Sequence, residues 1–275
     1  MAVKKHGNLD QKQAKWLKEG RGSGHGSSYL PWITVRDVAS LGRSHRVFGH
    51  KSQRTHHLLS DLELAIFLML EWHNSTADIR EQFPLMLDET LVLAKQAGIK
   101  HPGIHGINLT MSTDFLVNAQ NSTIPKFAIQ AKYADDLQDP RTLEKLELER
   151  RYWKSKSTPW FILTETDIPK VVFENINWLY PAQRQAIDEY VLIDRLDFYN
   201  KQFIGNQNQA IIELTRKLDT AYEMEAGECL LELRQLMAQR YFTFNIFMPF
   251  RKLTASDLTV SDISLIKGTK RVSNQ

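Results

Sequence analysis

One cysteine, Cys229, in 275 residues leaves no partner for an internal disulfide and no basis for a cysteine-built zinc centre. At its position among apolar residues it reads as a small core side chain. Long hydrophobic runs are missing too: the richest, Ala65 to Leu70, is far short of the roughly 20 residues needed to span a bilayer. No leader pattern opens the chain, so a soluble cytoplasmic protein without a membrane partner is expected. Nor is there a GxxxxGK[ST] loop. The glycines at 20, 22, 24 and 26, with Arg21 and His25, follow no convincing strand, which argues against a nucleotide-binding loop while leaving a DNA backbone as something the segment could approach.

The net charge of +3 is small, but its distribution is uneven. Residues 1 to 59 hold eleven Lys and Arg against three Asp and Glu, a net of +8, and the remaining 216 residues hold 24 against 29, a net of −5. Six of the nine histidines fall in the same basic region. Arg21, Arg36, Arg43, Arg46, Lys51 and Arg54 are therefore candidates for contacts to a polyanion backbone, against the plainer reading of a solvated basic face. His45, His50, His56 and His57 follow no regular ligand spacing and read as polar surface or phosphate contacts.

Periodicity predicts a short helix over 11–19, strands over 29–35 and 43–49, a helix from Ser60 to about His73, a strand over 79–85 and a helix over 88–96. Two strand-like segments follow, Thr113 to Val117 and Phe127 to Lys132, joined by a turn containing Asn121, Ser122 and Pro125. A helix from Asp139 to about Lys154 with Pro140 in its first turn and a continuous apolar strand, Trp160 to Thr164, complete an α/β region. Beyond Pro169 the pattern predicts helices over 171–179, 184–196, 210–222 and 227–238, then strands over 241–247 and 258–266. Helices followed by a small hairpin resemble a winged helix. The expected division is 1–168 and 169–275.

The centre of the chain carries the chemistry. Side chains at i and i+2 share a face of a strand, so Gln130 and Lys132 point the same way, on a hairpin partner of the strand bearing Asp114. A carboxylate beside an acceptor-x-Lys suits metal-assisted phosphodiester hydrolysis. Asp114 would hold a hard divalent cation, and Lys132 would stabilise developing negative charge or orient a water. The plainer reading is a strand-edge Asp and a solvated Lys. Ser60-Asp-Leu-Glu63 is a capping box, so Glu63 is either a helix cap alone or a second carboxylate delivered to Asp114. Asp78 and Glu81 are rival acidic ligands.

Longer runs are more specific. Glu19-Gly-Arg-Gly-Ser-Gly-His25-Gly, Gly42-Arg-Ser-His-Arg46, His56-His-Leu-Leu-Ser-Asp-Leu-Glu63-Leu-Ala, Asp78-Ile-Arg-Glu-Gln-Phe-Pro-Leu85, Met111-Ser-Thr-Asp114-Phe-Leu-Val, Gln130-Ala-Lys132 and the helix from Thr142 to Trp153 together resemble TnsA, the endonuclease subunit family of heteromeric bacterial cut-and-paste transposases. The resemblance spans most of the chain. It implies a restriction-endonuclease-like catalytic domain with a mixed sheet, with Glu63, Asp114 and Gln130 binding metal, Mg²⁺ with Mn²⁺ as substitute, and Glu63, Asp114 and Lys132 as the catalytic set. Gln130 stands where the general restriction-enzyme pattern has a second acid, as it does within the family. The resemblance also implies cleavage at the 5′ ends of a transposon, beside an integrase-like, TnsB-like subunit and an ATP-using, TnsC-like regulator contacted through the C-terminal domain. The helix over 227–238 offers only Arg234 against Glu228 and Glu232, which is poor chemistry for reading bases. The alternative is a catalytically silent nuclease fold that binds and bridges DNA.

Overall fold

A computed structural model describes residues 3–37, 43–184 and 187–262. The chain divides into two compact units, residues 1–168 and 169–275.

The first unit is built on a four-stranded mixed sheet. After helix α1 (Val3–Lys18) come a hairpin, β1 (His45–Gly49) and β2 (Arg54–Leu58), and helix α2 (Asp61–Trp72). Strand β3 (Thr76–Pro84) enters the main sheet, followed by α3 (Leu87–Ala97) and a two-residue pair, β4 (Gly103–Ile104) with β5 (Ile107–Asn108). Then come β6 (Ser112–Ala119), β7 (Lys126–Ala131), α4 (Pro140–Ser155) and β8 (Trp160–Leu163). The sheet order is β3-β6-β7-β8, antiparallel except for the parallel β7–β8 pair. Parallel neighbours need a long crossover, and α4 supplies it.

The period-two pattern of β6 and β7 predicts half-buried strands, yet neighbours of both parities are buried: Thr113, Phe115, Leu116 and Val117 in β6, Ala128, Ile129, Gln130 and Ala131 in β7. The sheet is covered on both sides. Leu116 and Ala128 pack with Tyr152 and Trp153 of α4, while α2 buries Leu62, Ala65, Ile66, Phe67 and Leu68. A functional group on these strands is therefore held in a dry, close-packed setting.

The segment over 29–35 does not form the expected strand. Pro31 lacks the N–H a ladder needs, and the segment instead lies along β3, burying Tyr29 and Trp32. The Tyr29 hydroxyl donates to the Glu81 carbonyl at 3.0 Å and the Trp32 N–H to the Gln82 carbonyl at 3.1 Å. The glycine loop before it is structural as well. Gly22 has φ +79, and a Cβ there would fall 2.1 Å from Pro84 Cγ, so only glycine lets this strap press against the end of β3.

Periodicity does not predict strand β2, because Arg-Thr-His-His-Leu lacks the apolar alternation of a strand. It is secured by buried polar contacts. Glu81 of β3 accepts from Arg54 at 2.8 and 2.5 Å, from His56 Nδ1 at 2.7 Å and from the His57 N–H at 3.1 Å. His56 Nε2 lies 2.6 Å from Ser52 Oγ. Ser52, His56 and Glu81 thus line up like a Ser-His-acid relay, but all three are buried. This is a clamp tying the hairpin to the sheet, with no access for a substrate. The Arg54 and His56 partners hold the Glu81 carboxyl well below its ordinary range, down to about 2, despite its burial.

The second unit is mainly helical: α5 (Lys170–Leu179), α6 (Glu189–Ile204), α7 (Ile211–Ala221) and α8 (Glu228–Ala238), with a minimal antiparallel pair, β9 (Phe242–Thr243) and β10 (Thr259–Val260). The expected strands over 241–247 and 258–266 shrink to these two-residue segments; 263–266 lie outside the described residues. The helix predicted from 184 begins at Glu189, where Asp188 caps the Tyr190 N–H. Asn175, fully buried, donates to the Ile246 and Met248 carbonyls at 2.7 and 2.8 Å and accepts from the Phe250 N–H at 2.8 Å. Trp178 stacks on Phe250 with centroids 4.2 Å apart. Cys229 is buried, in the core position its neighbours imply. No described helix is long and apolar enough to cross a membrane.

Candidate active site

Asp114 sits within β6, and the register that pairs Phe115 with Ile129 puts Gln130 of β7 opposite it. Gln130 Nε2 donates to Asp114 Oδ2 at 2.7 Å, its Oε1 accepts from the Asp114 N–H at 3.3 Å, and the Ala131 N–H donates to Asp114 Oδ2 at 2.8 Å. The carboxylate is thereby fixed against β7. Lys132 follows β7 directly, half-buried, with its N–H bonded to the Leu163 carbonyl. Its ammonium is near enough to pull the Asp114 carboxyl down, though burial still leaves that carboxyl above its usual range.

Glu63 serves two masters on one side chain. Ser60 caps α2, its Oγ accepting from the Glu63 N–H at 3.0 Å and donating to Glu63 Oε1 at 3.1 Å, and Glu63 Oε2 accepts from the Leu59 N–H at 2.9 Å. The cap does not turn the carboxylate away from the sheet. Gln82 Nε2 donates both to Glu63 Oε2, at 3.3 Å, and to Asp114 Oδ1, at 3.0 Å. Burial and the Asp114 charge both push the Glu63 carboxyl upward. The structure therefore brings Glu63 and Asp114 onto one nitrogen, sets Gln130 against the other Asp114 oxygen and leaves the Lys132 charge within reach of Asp114.

Two residues of this neighbourhood carry no sequence signal. Gln82 lies opposite Asp114, between the Glu81–Phe115 and Phe83–Thr113 pairs, with φ +48 in the interior of a strand. Glu149 of α4 is buried and accepts from Thr113 Oγ1 at 2.6 Å and Trp160 Nε1 at 2.8 Å. Burial pushes its carboxyl up to about 8, with the Asp114 charge adding to the rise. The 3.6-residue pattern of a charged helix hides one inward-facing Glu among several outward ones.

The rival acids are engaged elsewhere. Asp78 lies 3.4 Å from Arg80 and accepts from the Gly26 N–H, and Glu81 belongs to the Arg54–His56 clamp. Three of the six basic candidates are likewise internal. Arg54 is taken up by Glu81. Arg21 bonds Asp37 at 2.7 Å and Glu19 at 3.1 Å while lying over the Trp16 ring, and Lys51 donates to the Thr76 carbonyl at 2.7 Å. All three cations therefore have partners within the fold. Arg36, Arg43 and Arg46 remain exposed, and both Arg36 and Arg46 lie near enough to His57 to disfavour its protonation.

The donor set fits a hard divalent cation. Two buried carboxylates converge on a single nitrogen, and the Gln130 amide lies against Asp114, its nitrogen on the carboxylate and its oxygen on the backbone N–H. Among the described residues no three acidic, His or Cys side chains gather into a metal cluster, so a cation here would need a neutral oxygen donor besides the two acids.

Residues 73–165 match the family model described as TnsA-like endonuclease N terminal, and residues 167–246 match that described as TnsA endonuclease C terminal. The transposition protein TnsA of transposon Tn7 from Escherichia coli is 48% identical over 262 residues, 95% of this chain and 95% of that protein. With identity of that extent across both units, the chain belongs to the TnsA family of transposition endonucleases.

Proposed function

We propose that in this transposition endonuclease Glu63, Asp114 and Gln130 hold the divalent cation, Mg²⁺ in the cell, and that the site hydrolyses phosphodiester bonds at the 5′ ends of the transposon. The observation that carries this is the convergence of Glu63 Oε2 and Asp114 Oδ1 on one nitrogen. When bound, the cation polarises the phosphate and acidifies a water.

Each side chain has a defined task. Asp114, fixed by Gln130 and the Ala131 N–H, presents Oδ1 to the centre. Glu63 brings the charge that a neutral Gln130 lacks, and its cap to Ser60 and Leu59 restricts its rotamers so that little ordering remains when the substrate arrives. Lys132 stabilises negative charge developing on the transferred phosphate. Arg36, Arg43 and Arg46 contact the DNA backbone, where charge gives affinity without sequence readout.

An integrase-like subunit is a partner within the transposase, and the second unit serves protein contacts there, with an ATP-using regulator as its partner. Its α8 has no free recognition chemistry: Arg234 donates to the Trp178 carbonyl and lies over that ring, and Glu232 pairs with Arg195. Gln130 favours one second reading, a silent scaffold that bridges DNA. The two are separated by strand-specific nicking of transposon-end DNA in the reconstituted transposase with Mg²⁺. Cuts at the 5′ ends by the wild type and none by an Asp114→Ala protein that still assembles support the endonuclease; equal behaviour of both supports the scaffold.

A further inference from the structure

We propose that the Gln82 side-chain amide is a built-in placeholder for the cation, occupying the point between Glu63 and Asp114 until metal displaces it. The inference rests on the reading of those two acids as metal ligands.

The conformation of Gln82 is the first argument. A left-handed φ of +48 inside a strand is uncommon for any residue with a Cβ and persists only where the surroundings enforce it. Here they do so at both ends. The reversed backbone sends the Gln82 carbonyl to the Trp32 N–H at 3.1 Å, and Trp32 is itself held by Arg21, whose guanidinium donates to the Trp32 carbonyl at 3.1 Å. At the other end Ser112 Oγ donates to Gln82 Oε1 at 3.0 Å, which fixes which face of the amide meets the acids.

The second argument is the match of donors to acceptors. An amide nitrogen has two hydrogens, and both are used, one for Glu63 Oε2 and one for Asp114 Oδ1. Two buried carboxylates with only the Lys132 field to offset their charge repel and lack solvation. A neutral double donor holds them together more weakly than a cationic side chain would, and so yields more readily to a divalent cation. The metal-free site is thus kept in shape, and each binding event must break the two hydrogen bonds from Gln82 to the acids.

The test uses the full-length chain, with Mn²⁺ affinity by calorimetry and melting temperature in chelator and in Mn²⁺. Asp114→Asn serves as the site control. Gln82→Met keeps the length and removes both donors. The expected result is a lower melting temperature in chelator, a larger rise on adding Mn²⁺, and binding about tenfold tighter than wild type, the equivalent of one charge-assisted hydrogen bond no longer displaced. Wild-type or weaker Mn²⁺ affinity in Gln82→Met overturns the placeholder. Should that variant fold poorly, Gln82→Gly removes the donors while relaxing the left-handed backbone, and the same tightening is expected. If Asp114→Asn leaves the wild-type Mn²⁺ response intact, the metal-site reading itself fails, a result distinct from failure at Gln82.

Discussion

Glu63 on a helix and Asp114 on a strand, 51 positions apart in the chain, accept hydrogen bonds from the same nitrogen, Gln82 Nε2, at 3.3 and 3.0 Å. Among the described residues neither acid has a cation bonded to it, and Lys132 acts on Asp114 through its field. Burial raises both carboxyls, and the Asp114 charge adds to the rise at Glu63. The pair is unfavourable when ionised and becomes favourable when a divalent charge enters.

A pH dependence follows. A carboxyl whose folded pKa lies above its unfolded value binds protons more readily in the folded state. Stability is then present at low pH and lost as pH rises from the unfolded pKa through the folded one. Glu63 and Asp114 have this sign, and Glu149, raised to about 8, has it too. In chelator the melting temperature should fall between about pH 5 and pH 8 to 9; excess Mg²⁺ should recover the part due to Glu63 and Asp114 and leave the part due to Glu149. Glu81 has the opposite sign. Its carboxyl, lowered to about 2, contributes stability above its unfolded pKa that is lost as pH falls toward 2. Melting curves across pH with and without Mg²⁺ check both signs.

Arginines that look alike in the sequence should separate in experiment. Arg54→Ala leaves Glu81 buried beside His56 alone, and loss of one partner of a buried pair costs about 3 to 5 kcal/mol, measurable by denaturant unfolding. Arg36→Ala, Arg43→Ala and Arg46→Ala should leave stability within about 0.5 kcal/mol. Each should weaken DNA binding and reduce the slope of log affinity against log salt by about 1.

How far the sequence reveals this arrangement depends on the range of the interactions. Asp114, Gln130 and Lys132 are legible because strand geometry places i and i+2 on one face, a local rule. Glu63 is half legible: Ser60-Asp-Leu-Glu63 specifies the cap, and the same motif is compatible with a carboxylate facing the sheet. Nothing in Arg80-Glu-Gln-Phe-Pro84 announces a left-handed residue, since the conformation of Gln82 is imposed by Trp32, fifty positions earlier, and by Ser112, thirty later. Strand β2 is hidden for the same reason, its Arg54 and His56 side chains held by the distant Glu81. The segment over 29–35 has strand-forming residues, but Pro31 and contacts to β3 give it another task.

Lys132→Ala should test the electrostatic role of the lysine apart from metal binding. Removing one group that stabilises developing charge costs on the order of 10²- to 10³-fold in rate. Cleavage by the assembled transposase should fall by that factor while Mn²⁺ affinity stays within a few-fold of wild type, or improves as the competing ammonium is lost. Single-turnover cleavage and calorimetry on the same preparations separate the two effects.

Gln130→Glu restores the second acid of the restriction-enzyme pattern and places a third carboxylate against Asp114. With the Nε2 donor to Asp114 Oδ2 removed, the metal-free protein should melt lower than wild type by several degrees, about 1 to 3 kcal/mol for the lost hydrogen bond and the added repulsion. Saturating Mg²⁺ should close most of that gap.

The most direct measurement is anomalous diffraction from crystals of the full-length chain soaked in Mn²⁺. A peak between the Glu63 and Asp114 carboxylates, with Gln130 oxygen beside it and the Gln82 amide turned away, is the result this arrangement predicts. A peak at other residues, or Gln82 Nε2 still bridging the two acids at full Mn²⁺ saturation, contradicts it.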